Sequence, residues 1–201
     1  GSNGFANNKT QAISQAWRLY ESLFLENKNP KPVKIGTKEI GHNQPVFVIG
    51  EIGINHNGNM EICKKLIDMA AECGCDAVKF QKRTVELVYS KEELAKPRES
   101  PFGKTNGDLK RGLEFGEKEY REINEYCGKK GIMWFASAWD VPSVDFLERL
   151  NVPCHKIASP CLTNKKILKR VKETGKPVII STGMSTMEQI HRAVRLLGED
   201  N

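Results

Sequence analysis

The sequence predicts an α/β protein built as a TIM (β/α)8-type barrel, with about five β-α units present. Three observations predict it. From residue 46 onward, short apolar runs alternate with segments of helical periodicity. The runs are continuously apolar, as strands buried on both faces of a parallel sheet should be. No glycine-rich nucleotide fingerprint follows the first run, which favours a barrel over a doubly wound sheet. A complete barrel needs eight units and about 250 residues, and this chain has 201. The expectation is a partial barrel, natural or a fragment, whose open edges aggregate or recruit partners.

Residues 1–32 read as an N-terminal extension. Ala12, Ile13, Ala16, Trp17, Tyr20, Leu23 and Phe24 fall at helical spacing and predict a helix over 8–26. Its apolar stripe is either a packing face or an interaction arm. Residues 33–45 read as a β-hairpin, and 46–201 as the partial barrel. The first barrel strand is expected at 46–51. Helix 59–73 follows, with Ile62, Leu66, Ile67, Met69 and Ala70 as its apolar face, Asn57 as N-cap, and Gly58 where unusual dihedrals are needed. Strand 77–81 precedes a long polar segment, 82–116, which is either a lid or a disordered surface loop. Helix 117–130, strand 132–136, helix 141–149 and strand 155–158 come next. Helix 164–174 ends at Gly175 as its C′ residue, and strand 178–181 and helix 186–197 complete the pattern.

The formal net charge of +6 is dispersed. Its densest clusters, Lys64-Lys65, Lys129-Lys130 and Lys165-Lys166, lie in helical patterns and read as solvated faces. No basic stripe on a recognisable module points to nucleic acid. The cysteines (63, 73, 75, 127, 154 and 161) lack disulfide spacing and contain no C-x-x-C pair, and the four histidines form no zinc motif. Reduced thiols and a cytoplasmic setting are the expectation. No signal peptide is expected, and no apolar run in the sequence is long enough to cross a membrane.

The chemistry gathers where the strands end, the side on which parallel α/β folds place ligands. Lys79 and Lys156 sit inside apolar strands, and a buried lysine is costly unless partnered. They are either lysines snorkelling at strand ends or two three-donor groups for an anion, most simply a phosphate. Ser137, Ser159 and Ser181 close three successive strands. They are either turn serines or hydroxyls completing that site. Glu51 ends the first strand as a general acid/base, a hydroxyl acceptor or a lysine's packing partner. His155 alternates away from Lys156 and reads as structural. His56 is open between the two roles.

Four motifs carry a resemblance: EIGINHNG at 51–58, VKFQK at 78–82, KIAS at 156–159 and GKPVIISTGM at 175–184. Together they resemble the N-acetylneuraminate (sialic acid) synthase family, which includes the legionaminic and pseudaminic acid synthases. The likeness runs from about residue 33 to the end. It implies a TIM barrel, followed in the family by an antifreeze-like domain. It implies condensation of phosphoenolpyruvate with an open-chain N-acetyl-hexosamine aldehyde such as N-acetylmannosamine, with release of phosphate. It also implies a homodimer and a divalent metal, Mn or Mg, whose histidine ligands lie on later strands, leaving no metal ligand in this chain. Carried over by position, Lys79, Ser137, Lys156, Ser159 and Ser181 match the phosphoenolpyruvate-binding set, with Lys79, Lys156 and Glu51 catalytic and Glu51 also facing the sugar. Where some members carry a sugar-binding carboxylate, this chain has Cys161, and a thiol is no equal substitute as acceptor or proton carrier. Two other readings stay open: another phosphoenolpyruvate-aldose condensing barrel, such as a deoxy-octulosonate or deoxy-heptulosonate phosphate synthase, and an incomplete, non-catalytic fragment.

Overall fold

A computed structural model describes residues 31–198. The helix expected over 8–26 lies outside the described residues. A two-stranded antiparallel hairpin comes first, β1 (Val33–Ile35) and β2 (Lys38–Ile40). Its turn glycine, Gly36, lies against Met133 and Pro153, so the hairpin sits beneath the starting ends of the main strands.

The main sheet has five strands: β3 (Ile49–Gly53), β4 (Ala77–Lys82), β7 (Met133–Ala138), β8 (His155–Ile157) and β9 (Val178–Ile180). They pair in chain order and every pairing is parallel. That is the start of a barrel. Helices α1 (Met60–Glu72), α5 (Glu117–Lys130), α6 (Val141–Arg149), α7 (Lys165–Glu173) and α8 (Met187–Leu197) follow the five strands. Four open on a side-chain cap: Asn59 for α1, Asp140 for α6, Asn164 for α7 and Thr186 for α8. At the start of α5, Glu119 reaches back to accept from Gly116 N at 3.0 Å.

The core lies between the helices and one face of the sheet. Val78, Phe80, Trp134, Ala136 and Ile157 occupy that face, each at most 5% exposed. Phe80 meets Trp134 and Tyr120 edge to face, at centroid distances of 6.3 and 6.2 Å. His155 shares the face, fully buried, with Nε2 2.8 Å from Glu148 Oε1. Its reading as structural agrees with that position.

Several expectations need correction. The first strand runs 49–53 rather than 46–51, with Val46 84% and Val48 45% exposed ahead of it. The apolar run Val46–Ile49 begins before the ladder does. Asn57 does not cap α1. It adopts φ +51 inside consecutive turns, and Asn59 accepts from Ile62 N instead. The core stripe of α1 is Cys63 and Ile67, whereas Ile62 and Met69 are exposed. Met69 lies two residues beyond Ile67, about 200° around the helix, and so falls on the opposite side.

Segment 82–116 is folded. It holds α2 (Val85–Val88), α3 (Lys91–Ala95), the hairpin β5 (Pro97–Ser100) and β6 (Gly103–Thr105), and α4 (Asn106–Gly112) with a capping box at Thr105. Two carboxylates grip its roots. Asp140 accepts from Thr84 N at 2.6 Å, and Glu114 accepts from Arg83 N at 3.0 Å and from Lys82 Nζ at 2.8 Å. The segment also leans on the turn after β3. Phe115 stacks on His56 at 3.9 Å, and Phe102 lies against Gly58 and Gly112. Gly58, at φ +67, has Gly112 O where a Cβ would stand, so conformation and space both demand glycine there.

Candidate functional site

The sheet register brings the selected residues together. Glu51 pairs with Lys79, Gln81 with Ser137, and Ser137 with Lys156. Paired residues on parallel strands share a face, and this face is opposite the apolar one. Glu51 Oε2 lies 2.5 Å from Lys79 Nζ, and Lys79 Nζ donates to Ser137 Oγ at 3.3 Å. Lys156 Nζ donates to Ser181 Oγ at 2.5 Å and to Ile157 O at 2.9 Å. Ser159 opens a short 3-10 turn (Ser159–Cys161), and its Oγ accepts from Gly183 N at 3.1 Å. This bond ties the loop after β8 to the loop after β9. Ser137 lies inside β7, whereas Ser159 and Ser181 stand just beyond their strands.

The two lysines differ. Lys79 has a carboxylate partner. Lys156 has a hydroxyl and a carbonyl, and no carboxylate is within salt-bridge reach among the described residues. Burial pulls the Lys156 ammonium below the ordinary lysine range, and the nearby Lys79 charge pulls in the same direction, against Glu51. Two cations close enough to disfavour each other, one of them without a counter-ion, form a site suited to an anion.

Cys161 stands in the same turn as Ser159 but is 5% exposed, and its Sγ faces Trp139 O at 3.9 Å. Burial pushes its thiol up, helped by Asp140 and opposed by Lys156. It lies behind the rim of the site.

His56 is 3% exposed. Its Nδ1 accepts from Gly58 N at 3.1 Å, and burial pushes its imidazole down to about 4. A neutral imidazole held this way shapes the turn that the 82–116 segment leans on. Among the described residues no group of three or more His, Cys, Asp or Glu side chains could hold a metal ion.

Sequence reasoning missed Gln81, Lys82, Arg83 and Glu114. Gln81 is two residues past Lys79 and so on the same strand face; that spacing was the available signal. The Lys82-Arg83 pair at the strand end was the signal for the ion cluster. Burial pushes the Glu114 carboxyl up against the pull of Lys82 and Arg83.

Comparison with known proteins agrees with the fold. A family model described as the NeuB family matches residues 66–201. The chain is 40% identical over 163 residues to the N-acetylneuraminate-9-phosphate synthase of Homo sapiens, covering 79% of this chain and 45% of that one. It is 33% identical over 162 residues to the N,N'-diacetyllegionaminic acid synthase of Legionella pneumophila, covering 79% and 46%. The solved sialic acid synthetase of Leptospira borgpetersenii matches with a TM-score of 0.74 at 30% identity, over 84% of this chain and 55% of that one. A truncated 3-deoxy-D-arabino-heptulosonate 7-phosphate synthase from Thermotoga maritima matches at 15% identity and TM-score 0.60, over 85% and 52%, and shares the fold. The chain spans less than half the length of the curated relatives it matches.

Proposed function

The chain belongs to the NeuB family, and from that premise we propose that it supplies the phosphoenolpyruvate-binding strands of a nonulosonic acid synthase. The protein would condense phosphoenolpyruvate with an open-chain N-acetyl-hexosamine aldehyde, such as N-acetylmannosamine, and release phosphate. The observation that carries the reading is the lysine pair on the polar face, with Lys156 lacking a carboxylate partner.

Lys156, Ser181 and the Ser159 to Gly183 tie form the cradle for one anionic end of phosphoenolpyruvate, and Lys79 with Ser137 holds the other. Glu51 stands against Lys79, where the aldehyde carbon meets C3 of phosphoenolpyruvate. Water adds at C2 and gives up a proton, the aldehyde oxygen takes one up as the C–C bond forms, and the Glu51 carboxylate is the group proposed to relay it from one to the other. Phosphate then leaves with cleavage of its C–O bond. Cys161, buried behind the rim against Trp139 O, would bear on the sugar side only through the turn it shares with Ser159.

The divalent metal, Mn or Mg, that belongs to the family reading does not fit these residues. His56 is turned into Phe115 and Gly58, and His155 lies on the opposite face with Glu148. A homodimer and a cytoplasmic location complete the proposal. All the cysteines are free, as a reducing compartment leaves them, and no helix among the described residues is long and apolar enough to cross a membrane.

The fragment reading also has support, since five strands leave a parallel sheet with two open edges among the described residues. Assay of phosphate release from phosphoenolpyruvate in the complete protein separates the readings. The synthase reading expects turnover with N-acetylmannosamine or its 6-phosphate. Turnover only with arabinose or erythrose phosphates would replace it with the other condensing enzymes. Phosphoenolpyruvate binding without turnover on any of these sugars would leave the non-catalytic reading.

A further inference from the structure

Arg83 is the most enclosed cation of the site, 5% exposed, and it touches four different parts of the molecule. Its Nε lies 3.2 Å from Glu114 Oε2, one Nη donates to Tyr89 Oη at 2.9 Å, and its guanidinium stacks over Trp139 at 4.9 Å. The other Nη donates to Gln81 Oε1. That last bond fixes an orientation. Arginine has only donors, so the Gln81 atom facing it is the oxygen, and the two N–H donors of the amide face the other way. They face the polar side of the sheet. A Cβ on Gly53 would stand 3.2 Å from Gln81 Nε2 and 2.8 Å from Glu51 Oε1, so both side chains lie over Gly53. Gly53 at φ +55 leaves them room.

We propose that Arg83 is a positioning residue that holds the Gln81 amide with its N–H donors turned into the pocket beside Glu51, where they meet an oxygen of the aldehyde substrate. This rests on the synthase reading above. Arg83 draws its own rigidity from the folded 82–116 segment, through Tyr89 at the end of α2 and Glu114 before α5. The segment thereby sets the aim of a group it does not itself contain. Loss of the clamp takes away the donor that holds the amide oxygen and leaves the amide free to turn its N–H groups out of the pocket.

The test is a double-mutant cycle of Arg83→Lys and Gln81→Met in the complete protein. Binding of phosphoenolpyruvate and of an open-chain N-acetyl-hexosamine alditol is measured by calorimetry, with thermal midpoints recorded alongside. Each single variant is expected to weaken the alditol roughly tenfold, about one hydrogen bond. The double variant should be no weaker than Gln81→Met alone, and phosphoenolpyruvate affinity should stay within about twofold. Tyr89→Phe keeps the cation and removes one of its anchors, so it should shift alditol binding in the same direction by less. It stands in if Arg83→Lys fails to fold. Additive losses, or equal loss for both probes, would overturn the positioning role. An unmutated protein that binds neither probe would instead overturn the synthase reading and this inference with it.

Discussion

Phe80 and Lys79 are adjacent on β4 and have opposite surroundings. Phe80 is fully buried among Trp134, Tyr120 and His56, in a layer that exists to be filled. Lys79 stands on the other side with Glu51 and Ser137, in a layer of charges and hydroxyls. One face of the strand turns sequence into stability and the other turns stability into a site. Because strand neighbours point to opposite faces, a substitution can address one layer with little effect on the other, and that separation can be tested directly.

The largest effect is expected on the apolar side. Phe80→Ala removes a ring from a closed layer and should lower unfolding free energy by about 3–5 kcal/mol, read from denaturant midpoints. The protein that remains folded should keep its anion affinity. A loss of affinity equal to that of a lysine variant would show that the two layers are not separable.

Lys156→Ala is the converse. It should weaken phosphoenolpyruvate binding by about 2–5 kcal/mol, as expected for a desolvated charge contact, and barely lower stability, because the folded state gives up a cation without a carboxylate partner. Phosphoenolpyruvate favours the charged ammonium, so affinity should fall as pH rises through a Lys156 value depressed below the ordinary lysine range. Lys156→Arg should remove that alkaline limb. Unchanged affinity in both Lys156→Ala and Lys79→Ala would remove the anion site.

His56 links the apolar layer to the folded 82–116 segment, since its ring lies near Phe80 and stacks on Phe115. The unfolded imidazole takes up a proton below about pH 6.5, whereas the folded one does so only near 4. Protonation therefore favours unfolding. The contribution is complete above pH 6.5 and is lost as pH falls to about 4, a change of about 3 kcal/mol. His56→Asn keeps an acceptor for Gly58 N and should flatten stability over that window. An unchanged slope would place the acid sensitivity elsewhere, His155 first, since burial lowers it in the same direction.

The strands, the order of helices and the polar residues at strand ends were legible in the sequence because each depends on local pattern. Continuous apolar runs mark β4 and β7, and the lysine inside the β4 run marks a candidate site. What was not legible depends on distance along the chain. Arg83 and Glu114 are 31 residues apart, and only the fold of the intervening segment brings them together. The polarity of 82–116 concealed two short helices, a hairpin and a capped helix, because its core contacts are few and it is held by ion pairs and caps. Asn57 and Asn59 are chemically identical candidates for one cap. The turn geometry chose between them, with Asn57 in the left-handed region and Asn59 extended.

The smallest stability effect belongs to Glu51, and it decides what that carboxylate is for. The sequence leaves it either a packing partner of Lys79 or a group for chemistry. Its side chain is 52% exposed while that of Lys79 is 12% exposed. Solvent screens a pair of this kind, and such pairs contribute under about 1 kcal/mol. Glu51→Gln keeps the shape and a hydrogen bond to Lys79, and should leave the thermal midpoint nearly unchanged. If the carboxylate handles the proton of the aldehyde oxygen, turnover should collapse while phosphoenolpyruvate affinity holds or rises, since Lys79 no longer has a competing negative charge beside it. A packing partner gives the opposite pattern: a lowered midpoint with turnover retained in the fraction that folds. Measuring midpoint, affinity and turnover on the same preparation separates the two, because one role acts through the folded population and the other through the rate.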